Sequence, residues 1–184
     1  MNYYAFAHGQ TQSKVWLCEQ LEPYIPHKAT VAVLGCWYNI LGFMMLTRHA
    51  DKYQHILGID IDPTVIPIAD NICQGWMIGK DTKLRNVVAD ANTYDLQGFN
   101  VVINCSPEHM TSDDWFHNID GGALVCIQSS NLDFDDEVWK ITNPSRSMEE
   151  FTKKYPLSHT LVSTVKDIQY NDWGYQRYML IGIK

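Results

Sequence analysis

Four polar positions stand directly behind four apolar runs, and their types suit the handling of a nucleoside. Gly35 follows Thr30–Leu34, Asp60 follows His55–Ile59, Asp90 ends Arg85–Ala89 and Asn104 ends Phe99–Ile103. A glycine at a strand exit lets the backbone turn tightly and approach a ligand closely. The free N–H groups of a following helix face the same spot. A carboxylate about 25 residues beyond Gly35 is near the spacing of a ribose-binding acid and can accept from both ribose hydroxyls. Asp90 is placed to meet the amino group of a base. The run Asn104-Cys-Ser-Pro-Glu-His-Met110 is the densest polar cluster at any such exit. Within it Glu108 and His109 offer a general base for an oxygen or nitrogen nucleophile, since a neutral imidazole titrates near working pH.

Other chemistries fit less well. A dinucleotide is disfavoured because bulky Trp37 and Tyr38 follow Gly35-Cys36 where a pyrophosphate loop needs more glycine. Glu108, His109, Asp113, Asp114, His117 and Asp120 crowd one stretch, with Asp113 and His117 at i, i+4. No His-x-x-x-His or cysteine cluster accompanies them, so no metal is expected. Asn131–Glu150 reads as an insertion over the mouth of a site, with Asp133–Glu137 its solvated acidic loop. Trp115, Trp139 and Trp173 are candidates for an aromatic acceptor pocket.

The elements that must hold these residues follow from the hydrophobic pattern. Gln12–Leu21 carries Val15, Trp16, Cys18 and Leu21 at helical spacing, with Ser13 near its start, and stops before Pro23. From Ala29 onward strands and helices alternate. The four runs above are strands, Ile40–Arg48, Pro63–Met77 and Ser112–Asn118 are helices, and Gly122–Ile127 is a fifth strand. Thr160–Ile168 and Tyr175–Ile183 then alternate polar and apolar around Asn171-Asp172-Trp173-Gly174, the pattern of a β-hairpin. The expected fold is α/β: a Rossmann-like, seven-stranded, mostly parallel sheet with an antiparallel C-terminal hairpin at its edge. Ligands bind such sheets beyond the carboxyl ends of the strands, where the polar positions stand.

Bulk properties set the remaining bounds. With 184 residues, 46% hydrophobic and 19% charged, the chain has the make-up of one globular domain. We expect one unit over residues 1–184, with 1–28 a helical lid and 29–184 the core. The net charge of −7 speaks against free nucleic acid as a partner. The longest apolar run, Ile40–Leu46, is too short to cross a bilayer, and no secretory pattern opens the chain, so no membrane association is expected. Five scattered cysteines without a Cys-x-x-Cys pair argue against disulfides and for a reducing cytoplasm.

In order along the chain, Thr30–Gly35, Gly58-Ile-Asp-Ile-Asp-Pro63, Val88-Ala-Asp-Ala91 and Val101–Met110 resemble the successive motifs of class I S-adenosylmethionine-dependent methyltransferases. The likeness runs over roughly residues 30–184, terminal hairpin included, and is closest to small stand-alone members. It implies that Gly35 with Cys36 bends around the methionine moiety, Asp60 with Ile61 holds the ribose, Asp90 with Ala91 meets the adenine, and Asn104 lies where the sulfonium faces the acceptor. Ser13 or Lys14, in the helix that often lids the cofactor in this fold, would reach a carboxylate of the cofactor or the acceptor. Members that methylate base amines carry Asp/Asn-Pro-Pro-aromatic after the fourth strand. Here Asn104 and Pro107 stand without the second proline or the aromatic, which disfavours that acceptor.

The expected activity is methyl transfer from S-adenosylmethionine to a small-molecule acceptor, with a homo-oligomer or a protein partner left open. Two rivals stand beside it: aminopropyl or aminocarboxypropyl transfer from the same cofactor, and a catalytically silent binding or assembly subunit.

Overall fold

The computed structural model describes residues 1–78, 82–133 and 140–184. The helices are α1 (His8–Leu21), α2 (Ile40–His49), α3 (Ile66–Met77), α4 (Asp114–His117) and α5 (Met148–Lys154). The strands are β1 (Ala29–Leu34), β2 (Tyr53–Asp60), β3 (Leu84–Val88), β4 (Val101–Asn104), β5 (Leu124–Ser130), β6 (His159–Gln169) and β7 (Gly174–Ile183). They form one sheet in the order β3-β2-β1-β4-β5-β7-β6. The first five pair in parallel, whereas β7 runs antiparallel to both β5 and β6. The expected architecture is the observed one.

Strand burial explains the sequence pattern. β1, β4 and β5 lie inside the sheet and bury almost every side chain, so they read as continuous apolar runs. On one face Val31, Val33, Ile103, Cys126 and Met179 pack with Leu17, Leu21, Leu41 and Met45 from α1 and α2. On the other, Ala32, Leu34, Val125 and Leu180 pack with Trp115, Phe116, Phe151 and Tyr155. Successive residues of one strand thus serve opposite cores.

Several local expectations need correction. α1 starts at His8, which puts Ser13 mid-helix and buried rather than at a cap. α3 starts at Ile66, with Pro67 in its first turn, where a missing N–H costs no helical hydrogen bond. The helix near Ser112 shrinks to one turn, Asp114–His117, with Asp113 at its N-cap, and Ser112 Oγ donates to the Asp114 carboxylate while accepting from the Asp114 N–H at 3.4 Å. Residues 91–100, between β3 and β4, form turns around buried Leu96.

Candidate active site

The chain moves outward from β1 to β2 and β3, then returns to place β4 on the other side of β1. The crevice outside the carboxyl ends of β1 and β4 is therefore the switch point where α/β sheets bind ligands. A cleft of about 500 Å³ opens there, within the range of small-molecule sites. Gly35, Cys36, Asp60, Ile61, Asp90, Ala91, Glu108 and His109 all line it.

The floor is the β1–α2 loop, which achieves without further glycines what a glycine-rich loop usually does. Gly35, Trp37 and Asn39 have φ of +57°, +50° and +46°, so alternate residues take the left-handed conformation. At Gly35 a Cβ would collide with Ser106 Oγ and come within 3.3 Å of Met110 Cε, so the β4 exit loop can lie this close only against glycine. Trp37 and Asn39 bear the strain because each is held. The Trp37 N–H donates to Asp60 Oδ2 at 2.7 Å. Asn39, fully buried, caps α2 by accepting from the Gly42 N–H at 3.1 Å and donates through Nδ2 to Asn86 Oδ1 at 2.7 Å. Asn86 in turn donates to Asp70 at 2.8 Å.

Asp60 ends β2 with each carboxylate oxygen accepting one backbone N–H, Oδ2 from Trp37 and Oδ1 from Asp62. These bonds fix the carboxylate and leave a second lone pair on each oxygen for hydroxyl donors. Burial raises its pKa above the usual aspartate value, against the pull of those N–H groups. Asp90 Oδ1 accepts from the Asn92 N–H at 2.9 Å. Cys36, buried, turns its thiol toward Gly58 and the Trp37 carbonyl.

The residues after β4 divide by role. Asn104 is fully buried and stands behind the cleft wall: its Oδ1 accepts from the Ser106 N–H at 3.0 Å and its Nδ2 lies 3.3 Å from Met110 Sδ. It shapes the loop and does not line the cleft. Glu108 is 4% exposed and its Oε1 accepts from Arg177 Nη1 at 2.7 Å. Arg177, on β7, also donates to the Cys105 carbonyl. His109 is exposed, with Nδ1 at 3.0 Å from the Lys140 carbonyl. A carbonyl only accepts, so Nδ1 carries a proton there, and in the neutral ring Nε2 then holds the lone pair.

Residues 140–143 brace this loop, as an insertion at the mouth should. The N–H groups of Thr142 and Asn143 donate to the Glu108 carbonyl at 2.9 and 3.0 Å, and Thr142 Oγ1 donates to the Met110 carbonyl. The acidic run beyond Asp133, and Trp139, lie outside the described residues. Trp115 belongs to the core, and Trp173 stacks on Tyr170 at the hairpin tip with centroids 4.5 Å apart. Neither lines the cleft, so no aromatic pocket forms from them. Asp113 accepts from Tyr155 at 2.6 Å and Asn143 at 2.9 Å. Among the described residues no three potential metal ligands converge.

Arg177 is the residue that motif reading missed. It shares the parity of Tyr175, Met179 and Ile181 in an alternating strand whose both faces pack. A charged residue at an inward position was the available signal.

Compared by sequence, the chain matches no family model and no curated protein. Its fold does match solved structures. The YcgJ protein of Bacillus subtilis superposes with a TM-score of 0.69 at 11% identity, covering 95% of this chain and 98% of that one. A geranyl diphosphate C-methyltransferase of Streptomyces coelicolor, solved with Mg²⁺, a substrate analogue and S-adenosylhomocysteine, gives 0.67 at 12%, covering 95% and 76%. The cyclase SpnF gives 0.65 at 12%, covering 96% and 83%. The chain has the fold of class I S-adenosylmethionine-dependent methyltransferases. The cyclase shows that this fold does not by itself settle the reaction, which must be argued from the site. Among the described residues no helix is long and apolar enough to cross a membrane.

Proposed function

We propose that this chain binds S-adenosylmethionine and transfers its methyl group to a small-molecule nucleophile. The observation that carries the reading is Asp60, immobilised by two backbone N–H groups beside the Gly35 turn, with both oxygens still able to accept. The cleft fits the cofactor: an acid for the ribose, a second acid at Asp90, and a floor that a Cβ at Gly35 would disrupt. An open cleft of about 500 Å³ also speaks against a vestigial, side-chain-filled pocket. The cofactor supplies an electrophilic methyl carbon on a sulfonium.

The chain's own residues align and deprotonate. Holding acceptor and methyl carbon in line supplies most of the rate in such transfers. His109, with Nδ1 tied to the Lys140 carbonyl, presents Nε2 as the proton acceptor. Glu108 is committed to Arg177, so it acts as a positioning residue rather than as the base. Five free thiols favour a reducing compartment, which we take to be the cytoplasm.

Titration calorimetry with S-adenosylhomocysteine tests the reading. Saturable binding that weakens at least tenfold in Asp60→Ala is expected, since a charged hydrogen-bond acceptor contributes about 1.5–3 kcal/mol. Absence of binding, or affinity unchanged by the substitution, refutes it. Mass analysis of spent cofactor separates the reactions, because methyl transfer leaves S-adenosylhomocysteine and aminopropyl transfer leaves methylthioadenosine.

A further inference from the structure

The cleft has two ends of opposite electrical character. Asp60 and Asp90 stand after β2 and β3, whereas Lys14 and Arg177 reach the cleft from α1 and β7, at the other side of the sheet. The Lys14 ammonium, half-buried, donates to Gln10 Oε1 at 2.7 Å and the Gln10 carbonyl at 3.4 Å. It pairs with no carboxylate among the described residues, although seven ion pairs form there between other side chains. Arg177 is 9% exposed, and its buried Nε has no partner among the described residues. Glu108, itself buried, pairs through Oε1 with Arg177, and among the described residues its Oε2 has no partner. At this end of the cleft two cations thus face one carboxylate, in a chain whose net charge is −7. Desolvated cations are costly unless a counter-ion arrives.

We propose that Lys14 and Arg177 bind a carboxylate of the methyl acceptor, which makes the acceptor an anionic small molecule. This deepens, and rests on, the methyl-transfer reading. Arg177 stands on β7, two strands past β4, and α1 packs against β6 and β7. The cations thus belong to the side of the cleft away from the acids that would hold the nucleoside. Arg177 lines this end of the cleft, with Nη1 and Nη2 fixed by Glu108 and the Cys105 carbonyl and with Nε unpartnered among the described residues. Lys14 adds a mobile point charge beside it.

Charge regulation gives the site a signature. Burial, with the Arg177 guanidinium adding to it against an opposing pull from Cys105, lowers the Lys14 ammonium to about 8. Other titratable groups on the surrounding elements are His8, Cys18 and Glu19 on α1, Cys105, Glu108 and His109 after β4, His159, Lys166 and Asp167 on β6, and Tyr175, Arg177 and Tyr178 on β7. Burial pushes Cys105 up to about 11, and Glu108 keeps Arg177 charged, so neither titrates between pH 7 and 9. An arriving anion favours the charged amine. Affinity should be full below about pH 8 and fall by up to tenfold per pH unit above it.

The test titrates acetate, benzoate and indole-3-acetate, each against its carboxamide, into the protein with and without saturating S-adenosylhomocysteine. At least one carboxylate should bind about tenfold or more tightly than its amide at pH 7. That preference should weaken toward pH 9, vanish in Lys14→Met, and persist without the pH dependence in Lys14→Arg. Thermal melts confirm that the variants fold. No carboxylate preferred over its amide overturns the proposal. So does a Lys14→Met variant that keeps the preference, or one that weakens S-adenosylhomocysteine while sparing 5′-methylthioadenosine, since the lysine then holds the cofactor's own carboxylate. Carboxylate preference in a protein that binds no S-adenosylhomocysteine overturns the cofactor reading and not the anion site.

Discussion

Replacing Gly58 by alanine drives a methyl group into the contact that supports the β1–α2 loop on the cleft floor. Gly58 sits in β2 between Val33 of β1 and Asn86 of β3, directly beneath Asn39. A Cβ there would lie 2.5 Å from Asn39 Nδ2, 2.9 Å from Cys36 Sγ and closer still to Asn86 Oδ1. The hydrogen bond of 2.7 Å between the two asparagines cannot survive beside it. Overpacking a filled core costs about 1–3 kcal/mol, and stranding a buried amide about 1–3 more. At about 2–4 °C per kcal/mol for a chain of this size, the melting point should drop by roughly 5–20 °C. Affinity for S-adenosylhomocysteine should fall too, because Asn39 both caps α2 and carries one of the left-handed residues of the floor. Thermal melts and calorimetry on the same preparation read both effects. In an Asn86→Ala background Gly58→Ala should cost less, since the nearest atom is gone, and the double-mutant cycle measures that coupling. A Gly58→Ala protein melting within about 2 °C of the parent, with intact affinity, would refute the account of how the loop is held.

Three further outcomes follow from the geometry. Trp115→Ala, emptying a fully buried site, should lose about 3–5 kcal/mol in urea unfolding, whereas Trp173→Ala at the exposed hairpin tip should lose about 1 kcal/mol or less. Glu108→Gln, which strands the Arg177 charge, should cost about 3–5 kcal/mol, and the paired replacement Glu108→Gln with Arg177→Met should recover much of it. Affinity for S-adenosylhomocysteine should decline as pH falls through the raised pKa of Asp60, beginning at a higher pH than for an ordinary aspartate, because only the charged form accepts from both hydroxyls. An acid limb unchanged in Asp60→Asn would show that another group is responsible.

The parts of this molecule that depend on one strand's neighbours being apolar were legible in the sequence. β1, β4 and β5 announce themselves as continuous apolar runs because both faces are packed, and the hairpin by its alternation around Asn171–Gly174. Acids at strand exits could be placed because a parallel sheet puts those exits in one row. What failed depends on direction rather than location. Asn104 occupies the right exit, but the Ser106 N–H and the Met110 sulfur draw its side chain behind the wall. Trp37 and Tyr38 read as too bulky for a glycine-type loop because the bonds that hold Trp37 and Asn39 at positive φ come from Asp60 and Asn86, remote in sequence. Arg177 gains its role only when β7 is laid beside β5 and its guanidinium meets the β4 exit loop.

The Gly9 N–H at the start of α1 donates to the Tyr170 hydroxyl at 3.0 Å, across 161 positions of chain. Gln128 of β5 ties the Ser13 carbonyl in the same region, across 115. Contacts of such separation carry the largest loop-closure entropy and form late. The acidic side of the cleft, built from β1–β3 and their neighbours, can therefore condense before the Lys14–Arg177 side exists. Refolding should pass through a stage that recognises an adenosine moiety and has not yet acquired selectivity for whatever stands beside it.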